Sequence, residues 1–456
     1  MGRKIQVCAL SLLGAFGYTT AAFAQTAPAP APAPAPADAP AAAAPATTEP
    51  APAAAAPAPA EPVPAAPAPA PVEPAPAVAP PAPPANVFDG LKIESKNGSA
   101  TLKLGLLLQP QYEALGSADA AHEGTSNNLF LRRTRLLVGG TLFNGKFEYF
   151  FDTDSPNLFR GNTTATGGMT PAPATGEKTG FAMGVQDAFA TVKLYEDMIK
   201  IDGGYMLTPG AHNALQGAGT LLGLDYFSNS FNHTNVFNGG APVGRDAGVE
   251  VRGLLLDNHI EYRAGLFQGL RKPGTNPPMG STTGGDVSAQ NMFRFAGRIQ
   301  VNLLDAETGF FYAGTYLGKK KVVSIGAALD LQSEYKHWAV DGFADLPLGP
   351  GTLTAQVNFS KWNGGTFVNL ANQTAIMAEA GYRFDGFPIA PIVKAEVQNF
   401  ADSDAANTRL GGGLAYFPYG HNVNLKAFFT NINAKPAAGD SHSYNQFQLQ
   451  WQLYFY

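Results

Sequence analysis

The chain has 456 residues, a formal net charge of −5 and a single cysteine. The acidic balance argues against nucleic acid as a partner, because nucleic-acid binding needs a basic surface, and one cysteine excludes an internal disulfide or a multi-thiolate metal site. No stretch of about 18 uncharged apolar residues occurs, so the sequence predicts no membrane-spanning helix.

Residues 1–24 have the three parts of a secretory signal peptide. A basic pair at positions 3–4 precedes an apolar run over residues 5–16, and Ala22-Phe23-Ala24 forms a small-residue cleavage site. The apolar run is too short to span a membrane. The only cysteine lies inside this segment, so the mature chain contains none.

Residues 25–85 consist almost entirely of alanine and proline. This composition supplies almost no residues for a core, and frequent proline blocks helix formation and favours an extended polyproline II chain. At about 3.1 Å per residue, the segment can reach on the order of 190 Å. The sequence predicts a disordered periplasmic linker, which is either a passive tail or a spacer that contacts the cell wall.

Residues 86–456 show antiparallel strands separated by alternately short and long connections. The strongest turn signal is Asn144-Gly145, which pairs Leu142 with Phe147 on an apolar face and Arg135 with Asp154 on a charged face. Charged side chains on an inner face are natural in a water-filled barrel and costly in a closed core. Sixteen strands are predicted, at residues 101–112, 129–143, 146–154, 185–195, 199–207, 247–256, 259–268, 291–303, 322–332, 337–346, 352–362, 374–385, 389–400, 408–418, 421–433 and 444–456.

The last strand has the clearest alternation in the chain. Successive side chains of a strand point to opposite faces. A face of large apolar residues opposite a face of amides is typical of a strand with lipid on one side and water on the other. The apolar face holds Phe447, Leu449, Trp451, Leu453 and Phe455, and the amide face holds Gln446, Gln448, Gln450 and Gln452.

Two connections between the predicted strands need separate interpretation. Residues 208–246 form the longest loop. Residues 304–321 could add a seventeenth strand, but bacterial single-chain barrels have an even number of strands. We therefore predict that 304–321 is a periplasmic connection, whose Lys319-Lys320-Lys321 run is either a solvated surface or a site that collects anions.

Basic side chains on the predicted inner face are the candidate functional residues. They form either a structural network with carboxylates or an anion path, because guanidinium groups suit oxyanions. Arg132 has the opposite parity, and we expect its long side chain to extend along the outer rim. The pore-lining or anion-binding candidates are Arg133, Arg135, Arg252, Arg263, Arg294, Arg298, Arg245 and Lys193.

The hairpin around Asp257-Asn258 contains an unfavourable cross-strand pair. A two-residue turn there places Arg252 directly opposite Arg263, and like charges in this position repel each other. Glu250 and Glu261 share the same face. We expect these carboxylates, or a passing anion, to offset the repulsion.

Taken together, five segments resemble the phosphate-selective porin O and P family over roughly residues 88–456. The resemblance implies a sixteen-stranded outer-membrane barrel, usually trimeric, that passes small anions and is narrowed by an inward-folded third loop, here 208–246. That loop carries one formal base, Arg245, and the Ala/Pro segment has no counterpart in the phosphate-specific members. The segments are LRRTRLLVGGTLFNGKFEYFFD (131–152), GRDAGVEVRGLLLDNHIEYRAGLFQG (244–269), TYLGKKKVVSIGAALDLQ (315–332), FADLPLGPGTLTAQ (343–356) and NQFQLQWQLYFY (445–456).

The leading hypothesis is therefore an all-β, 16-stranded outer-membrane barrel that passes small anions, with phosphate or other oxyanions as candidate solutes. A homotrimer in contact with outer-membrane lipid follows from the resemblance. The first alternative is a general or weakly cation-preferring porin, and the second is a structural protein that links the outer membrane to the cell wall through residues 25–85. Catalytic spacings such as H-E-x-x-H and G-x-S-x-G are missing from the sequence, so we predict no enzyme activity and no cofactor.

Overall fold

The computed structural model describes residues 91–118, 124–161, 183–231, 244–270, 292–365, 367–368 and 370–456. The predicted signal peptide and Ala/Pro linker lie outside the described residues, as do parts of several long loops. Among the described residues, no helix is long and apolar enough to cross a membrane.

The described residues form one antiparallel sheet. Most strands begin or end within a few residues of the predicted bounds. The strands are β1 (Leu91–Glu94), β2 (Thr101–Gly116), β3 (Thr125–Leu142), β4 (Phe147–Asp154), β5 (Gly184–Tyr195), β6 (Ile199–Leu207), β7 (Arg245–Leu255), β8 (Ile260–Phe267), β9 (Arg294–Asn302), β10 (Val322–Gln332), β11 (Tyr335–Leu348), β12 (Gly351–Asn363), β13 (Gln373–Phe384), β14 (Ile389–Phe400), β15 (Ala406–Tyr416), β16 (Val423–Lys435) and β17 (His442–Phe455).

Strands β2 to β17 close into a barrel of sixteen strands, which confirms the predicted fold class. Each strand pairs with the next along the chain, and β17 returns to β2, where Leu449 lies opposite Tyr112. The short strand β1 was not predicted. It pairs with residues 101–104 of β2, beyond the point where β17 ends at the Phe455–Leu106 pair.

The registers predicted from the turns are confirmed. Leu142 lies opposite Phe147 across the first tight hairpin, and Arg252 lies opposite Arg263 across the Asp257-Asn258 hairpin. Asn144 and Asp257 both have positive φ, at 57° and 52°, as a mirror-image hairpin turn requires.

Alternation along the strands gives the barrel an apolar outer face. The outward side chains are large, apolar and exposed, whereas their neighbours point inward and are polar. An outer band of this kind matches the lipid-facing surface of a membrane barrel. Exposed outward residues include Leu136, Val249, Ile299, Ile325, Trp338, Val393, Leu410 and Trp451.

The two ends of the barrel differ. One end carries the short turns and the last residue of the barrel, and we call it the turn end. The opposite end, the loop end, carries the longer loops. Two connections have special importance: residues 208–244 between β6 and β7 at the loop end, called L3, and residues 303–321 between β9 and β10 at the turn end, called the connector.

Candidate functional site: the lumen

The described part of L3 folds into the barrel and contacts strands on several sides. It contains two short 3₁₀ helices, His212–Leu215 and Ala218–Thr220. The backbone N–H of His212 donates to Asp341 of β11 at 3.0 Å. On the other side of the lumen, Gln452 of β17 donates to the carbonyl of Gly219 at 2.8 Å. These contacts place L3 across the lumen, in agreement with the predicted inward fold.

Asp225 is the main charged anchor of L3. Its carboxylate accepts hydrogen bonds from Arg132 at 2.7 Å and from Arg133 at 2.6 Å. Burial acts to raise the pKa of Asp225, but the charges of Arg132 and Arg133 outweigh burial and hold the pKa well below its usual range. The carboxylate therefore stays ionised and keeps L3 attached to β3.

The inward direction of Arg132 corrects the prediction that its side chain lies along the outer rim. Gln109 pairs with Arg133, but the next residue, Pro110, pairs with Leu131, which leaves Arg132 as an extra residue in β3. Proline has no N–H to continue the ladder, and an extra residue of this kind bends a strand and redirects its side chains. Two consecutive arginines can therefore reach the same carboxylate.

Two lysines that were not among the predicted site residues hold the backbone of L3. Lys426 of β16 donates to the carbonyls of Leu221 at 2.6 Å and Gly223 at 2.8 Å. Lys394 of β14 donates to the carbonyl of Tyr226 at 2.7 Å. Both lysines occur at inward positions in the sequence, which is the one signal that could have identified them.

The connector contains no strand, in agreement with the prediction, but it is more than a surface loop. Tyr312 donates its backbone N–H to Leu215 of L3 and accepts from Gly217, each at 2.9 Å. Its side-chain hydroxyl reaches Glu261 of β8 at 2.8 Å. The connector therefore enters the barrel from the turn end and pairs with L3.

A buried contact between His212 and Glu307 joins L3 to the connector. Nε2 of His212 lies 2.8 Å from the Glu307 carboxylate, and both side chains are almost completely buried. The imidazole ring is stacked between Tyr312 and Phe343, with centroid distances of 4.7 and 4.2 Å. Burial acts to raise the pKa of Glu307, but the contact with His212 and neighbouring hydrogen bonds lower it overall.

The predicted arginines lie on the inner face, and each has a carboxylate partner. Arg135 contacts Asp154 at 3.0 Å, and Arg252 contacts Asp202 at 2.7 Å. The remaining pairs are Arg133–Asp225 at 2.6 Å, Arg245–Asp187 at 2.9 Å, Arg263–Glu261 at 2.8 Å, Arg294–Asp330 at 2.5 Å and Arg298–Asp341 at 2.6 Å.

Two of the candidates have surroundings that the sequence did not indicate. Arg245 was placed in the third loop, but it is the first residue of β7 and its side chain is buried against Asp187 of β5. Lys193 contacts Glu148 at 2.5 Å and remains partly exposed. The expected offset of the Arg252–Arg263 repulsion is supplied by Asp202 and Glu261.

Glu250 is a buried carboxylate with a different environment. Its side chain is 1% exposed, and neither oxygen accepts a hydrogen bond from a described residue. Its charge therefore helps to offset those of Arg252 and Arg263 through space, as expected, but without a hydrogen bond to either arginine. Within the described ranges, no three His, Cys, Asp or Glu side chains are grouped so that they could hold a metal ion.

The inner face divides into two sides with different chemistry. From β3 to β11 it is rich in arginine–carboxylate pairs, and we call this the ion-pair side. On β12 to β17 and β2 neutral polar residues predominate, and we call this the amide side. Here Gln450 donates to Gln111 at 2.8 Å and Gln109 donates to Gln452 at 2.8 Å.

The amide side is more open near the loop end. Among the described residues, it contains the one interior arginine without a carboxylate partner. Arg409 of β15 lies opposite Glu396 of β14, but the Glu396 carboxylate contacts Lys394 and Ser228. Across the described part of the chain, the side chain of Arg409 makes no hydrogen bond or ion pair, and the residue is half-buried. The half-buried neutral residues around this region are Gln398, Asn407, Thr430, Gln446 and Gln448.

No family model matches the chain, and no curated protein sequence matches it significantly. Solved structures match its fold. The anion-selective porin from Comamonas acidovorans aligns with a TM-score of 0.50 and 11% identity over 78% of this chain and 100% of that chain. OprB of Pseudomonas putida aligns with a TM-score of 0.53 and 8% identity over 78% and 94% of the two chains. At these identities the likeness shows a shared porin-type barrel fold.

Proposed function

We propose that the protein is an outer-membrane porin through which small polar solutes diffuse passively. The observation that carries this proposal is the combination of a closed barrel, an apolar exposed outer face and a polar inner face narrowed by L3. A polar lumen inside an apolar band is the arrangement by which a barrel conducts through a membrane. The proposed location is the outer membrane of a Gram-negative bacterium, with residues 25–85 in the periplasm.

The charges of the lumen favour a channel with only a weak preference between anions and cations. Selectivity depends on pore width and on the charges that line the narrow region. The seven predicted arginines face carboxylates at 3.0 Å or less, so their charges are largely compensated. A passing ion then meets a nearly neutral wall.

Anion preference is the second candidate, and phosphate or other oxyanions are its candidate solutes. Arg409 favours it, because this interior arginine has no carboxylate partner among the described residues. The anion-selective porin from Comamonas acidovorans offers a precedent for anion preference on this fold. In this case Arg409, rather than the paired arginines, is the residue that attracts the anion.

The test is a planar-bilayer measurement of the reversal potential of the purified protein under a KCl gradient, repeated with added phosphate. A potential near zero without phosphate block supports the general porin. An anion-selective potential with chloride current reduced by phosphate supports the second candidate. Failure to form ion-conducting channels in lipid would contradict both.

Assembly as a homotrimer and contact with the cell wall through residues 25–85 are further parts of the proposal. A chain without residues 25–85 separates transport from anchoring. Unchanged conductance together with a weakened envelope assigns the segment to anchoring. The mass of the detergent-solubilised protein before and after heating tests the trimer.

A further inference from the structure

A cavity of about 410 Å³ lies at the turn end of the barrel. Its walls come from the connector, from the end of β13 and from the turn between β15 and β16. None of its lining residues belongs to the paired arginines and lysine of the lumen. The volume lies within the usual range of small-molecule sites. The lining residues are Leu317, Lys319, Arg383, Phe417, Tyr419, Gly420, His421 and Asn422.

The cavity carries positive charge without a carboxylate in its wall. Lys319 is exposed, and its ammonium group contacts no described carboxylate. Arg383 donates from Nη2 to the carbonyl of Leu317 at 3.1 Å and to Asp385 at 2.7 Å, whereas its Nη1 donates to no described acceptor. Asp385 lies outside the lining and its side chain is 59% exposed, so solvent screens its charge. The cavity therefore offers spare donors to an anion.

Beside the polar side chains of His421 and Asn422, the wall contains apolar side chains that are held in place by the barrel. Phe417 is 3% exposed and packs with Leu222 and Leu224 of L3, and Leu317 packs against the same cluster. Phe417 and Tyr419 add aromatic rings to the lining. Aromatic rings provide large and well-oriented contact surfaces for other rings.

Two residues at the cavity have positive φ angles, which residues with a side chain rarely adopt. Leu317 has φ 53° and Gly420 has φ 60°. A Cβ atom at Gly420 would lie 3.3 Å from Cδ1 of Leu317, so glycine allows the turn to approach the connector closely. Non-glycine residues in this region are retained where the surroundings hold them, and they are frequent at ligand sites.

We propose that this cavity binds a small organic carboxylate that carries an apolar ring. Lys319 and Arg383 bind the carboxylate, because charge-assisted hydrogen bonds to carboxylates are the strong ones. Phe417, Tyr419 and Leu317 contact the ring. The site shares Phe417 and Leu317 with the apolar cluster that holds Leu222 and Leu224 of L3, and the proposal does not depend on solute transport.

The experiment uses the full chain in detergent and 4-fluorobenzoate as the probe, observed by fluorine NMR. Acetate and 4-fluorobenzyl alcohol compete as the charge-only and ring-only halves of the probe. We expect each half to bind at least about tenfold more weakly than the whole probe, because each loses one set of contacts. Absence of probe binding, or equal binding of acetate, would overturn the proposal.

Substitutions locate the probe on the protein. The double variant Lys319→Gln and Arg383→Gln should weaken 4-fluorobenzoate binding at least about tenfold. If the double variant folds poorly, Lys319→Gln alone still tests the proposal, because Lys319 is exposed. We expect this single variant to bind 4-fluorobenzoate severalfold more weakly. The matched control is Lys336→Gln, an exposed lysine at the loop end. Equal affinity in the control and in both cavity variants would overturn the assignment.

Discussion

The ion-pair side and the amide side of the lumen differ in how their polar groups are satisfied. On the ion-pair side, Arg294 and Asp330 are completely buried and lie 2.5 Å apart. On the amide side, Gln450 and Gln111 form a neutral hydrogen bond of 2.8 Å. Removing one member of a buried ion pair leaves an uncompensated buried charge. Removing one member of a neutral pair leaves an unpaired amide, which destabilises the protein less.

This difference shows that a charged inner face does not by itself make a charged pore. The predicted arginines are largely used to hold the wall, L3 and the connector together. Arg298, for example, contacts Asp341 at 2.6 Å and the carbonyl of Gly210 of L3 at 3.1 Å. Unpaired charge, rather than the number of arginines, is the property that an ion in the lumen would sense.

The largest expected difference between the two sides is in stability. Arg294→Leu leaves Asp330 buried without its partner and should lower the free energy of unfolding by about 3–5 kcal/mol. Gln450→Leu on the amide side should lower it by about 1 kcal/mol. Urea unfolding in lipid vesicles measures both, and equal losses would contradict the distinction.

The attachment of L3 provides the next test. Asp225→Asn removes the charge that contacts Arg132 and Arg133, which weakens the anchor by about 1.5–3 kcal/mol. We expect L3 to detach more often and the single-channel conductance to increase. Asp402→Asn, in an exposed loop, is the matched control and should leave conductance unchanged. A conductance that is the same in both variants would show that Asp225 does not hold the loop.

Measurements of ion selectivity can distinguish an unpaired arginine of the lumen from a paired one. Arg409→Glu should shift the anion-to-cation permeability ratio toward cations by about twofold, because it reverses an uncompensated charge in the lumen. The double variant Arg252→Gln and Asp202→Asn removes an ion pair without changing net charge, and should leave the ratio close to that of the unmodified protein. Reversal potentials under a KCl gradient give both ratios, and a larger shift in the double variant would refute this assignment.

The smallest expected effect concerns pH. The pKa of Asp225 is well below its usual range, so its contribution to L3 attachment is fully present above the ordinary aspartate pKa and is lost only when the pH falls through the lowered value. The conductance difference between the unmodified protein and Asp225→Asn should therefore persist from pH 7 down to about pH 3. A difference that disappears near pH 4 would indicate an ordinary carboxyl group.

The barrel, its strand count and much of its register could be predicted from the order of the residues alone. Period-two alternation is a local property of the backbone, and Asn144-Gly145 fixes its hairpin through a turn of two residues. The alternation of β17 places Trp451 on the exposed outer face and Gln450 on the buried inner face. Strand β1 was missed because its alternating run is only four residues long, and all four residues are exposed.

The contacts of the inner face, by contrast, could not be predicted, because they form between distant parts of the folded chain. The direction of Arg132 depends on a bulge opposite Pro110, and the attachment of Gly223 to Lys426 joins residues 203 positions apart in the chain. The pairing of Tyr312 with Leu215 joins two connections that enter from opposite ends of the barrel. Such contacts depend on distances across the closed barrel, and the local pattern of residues does not specify those distances.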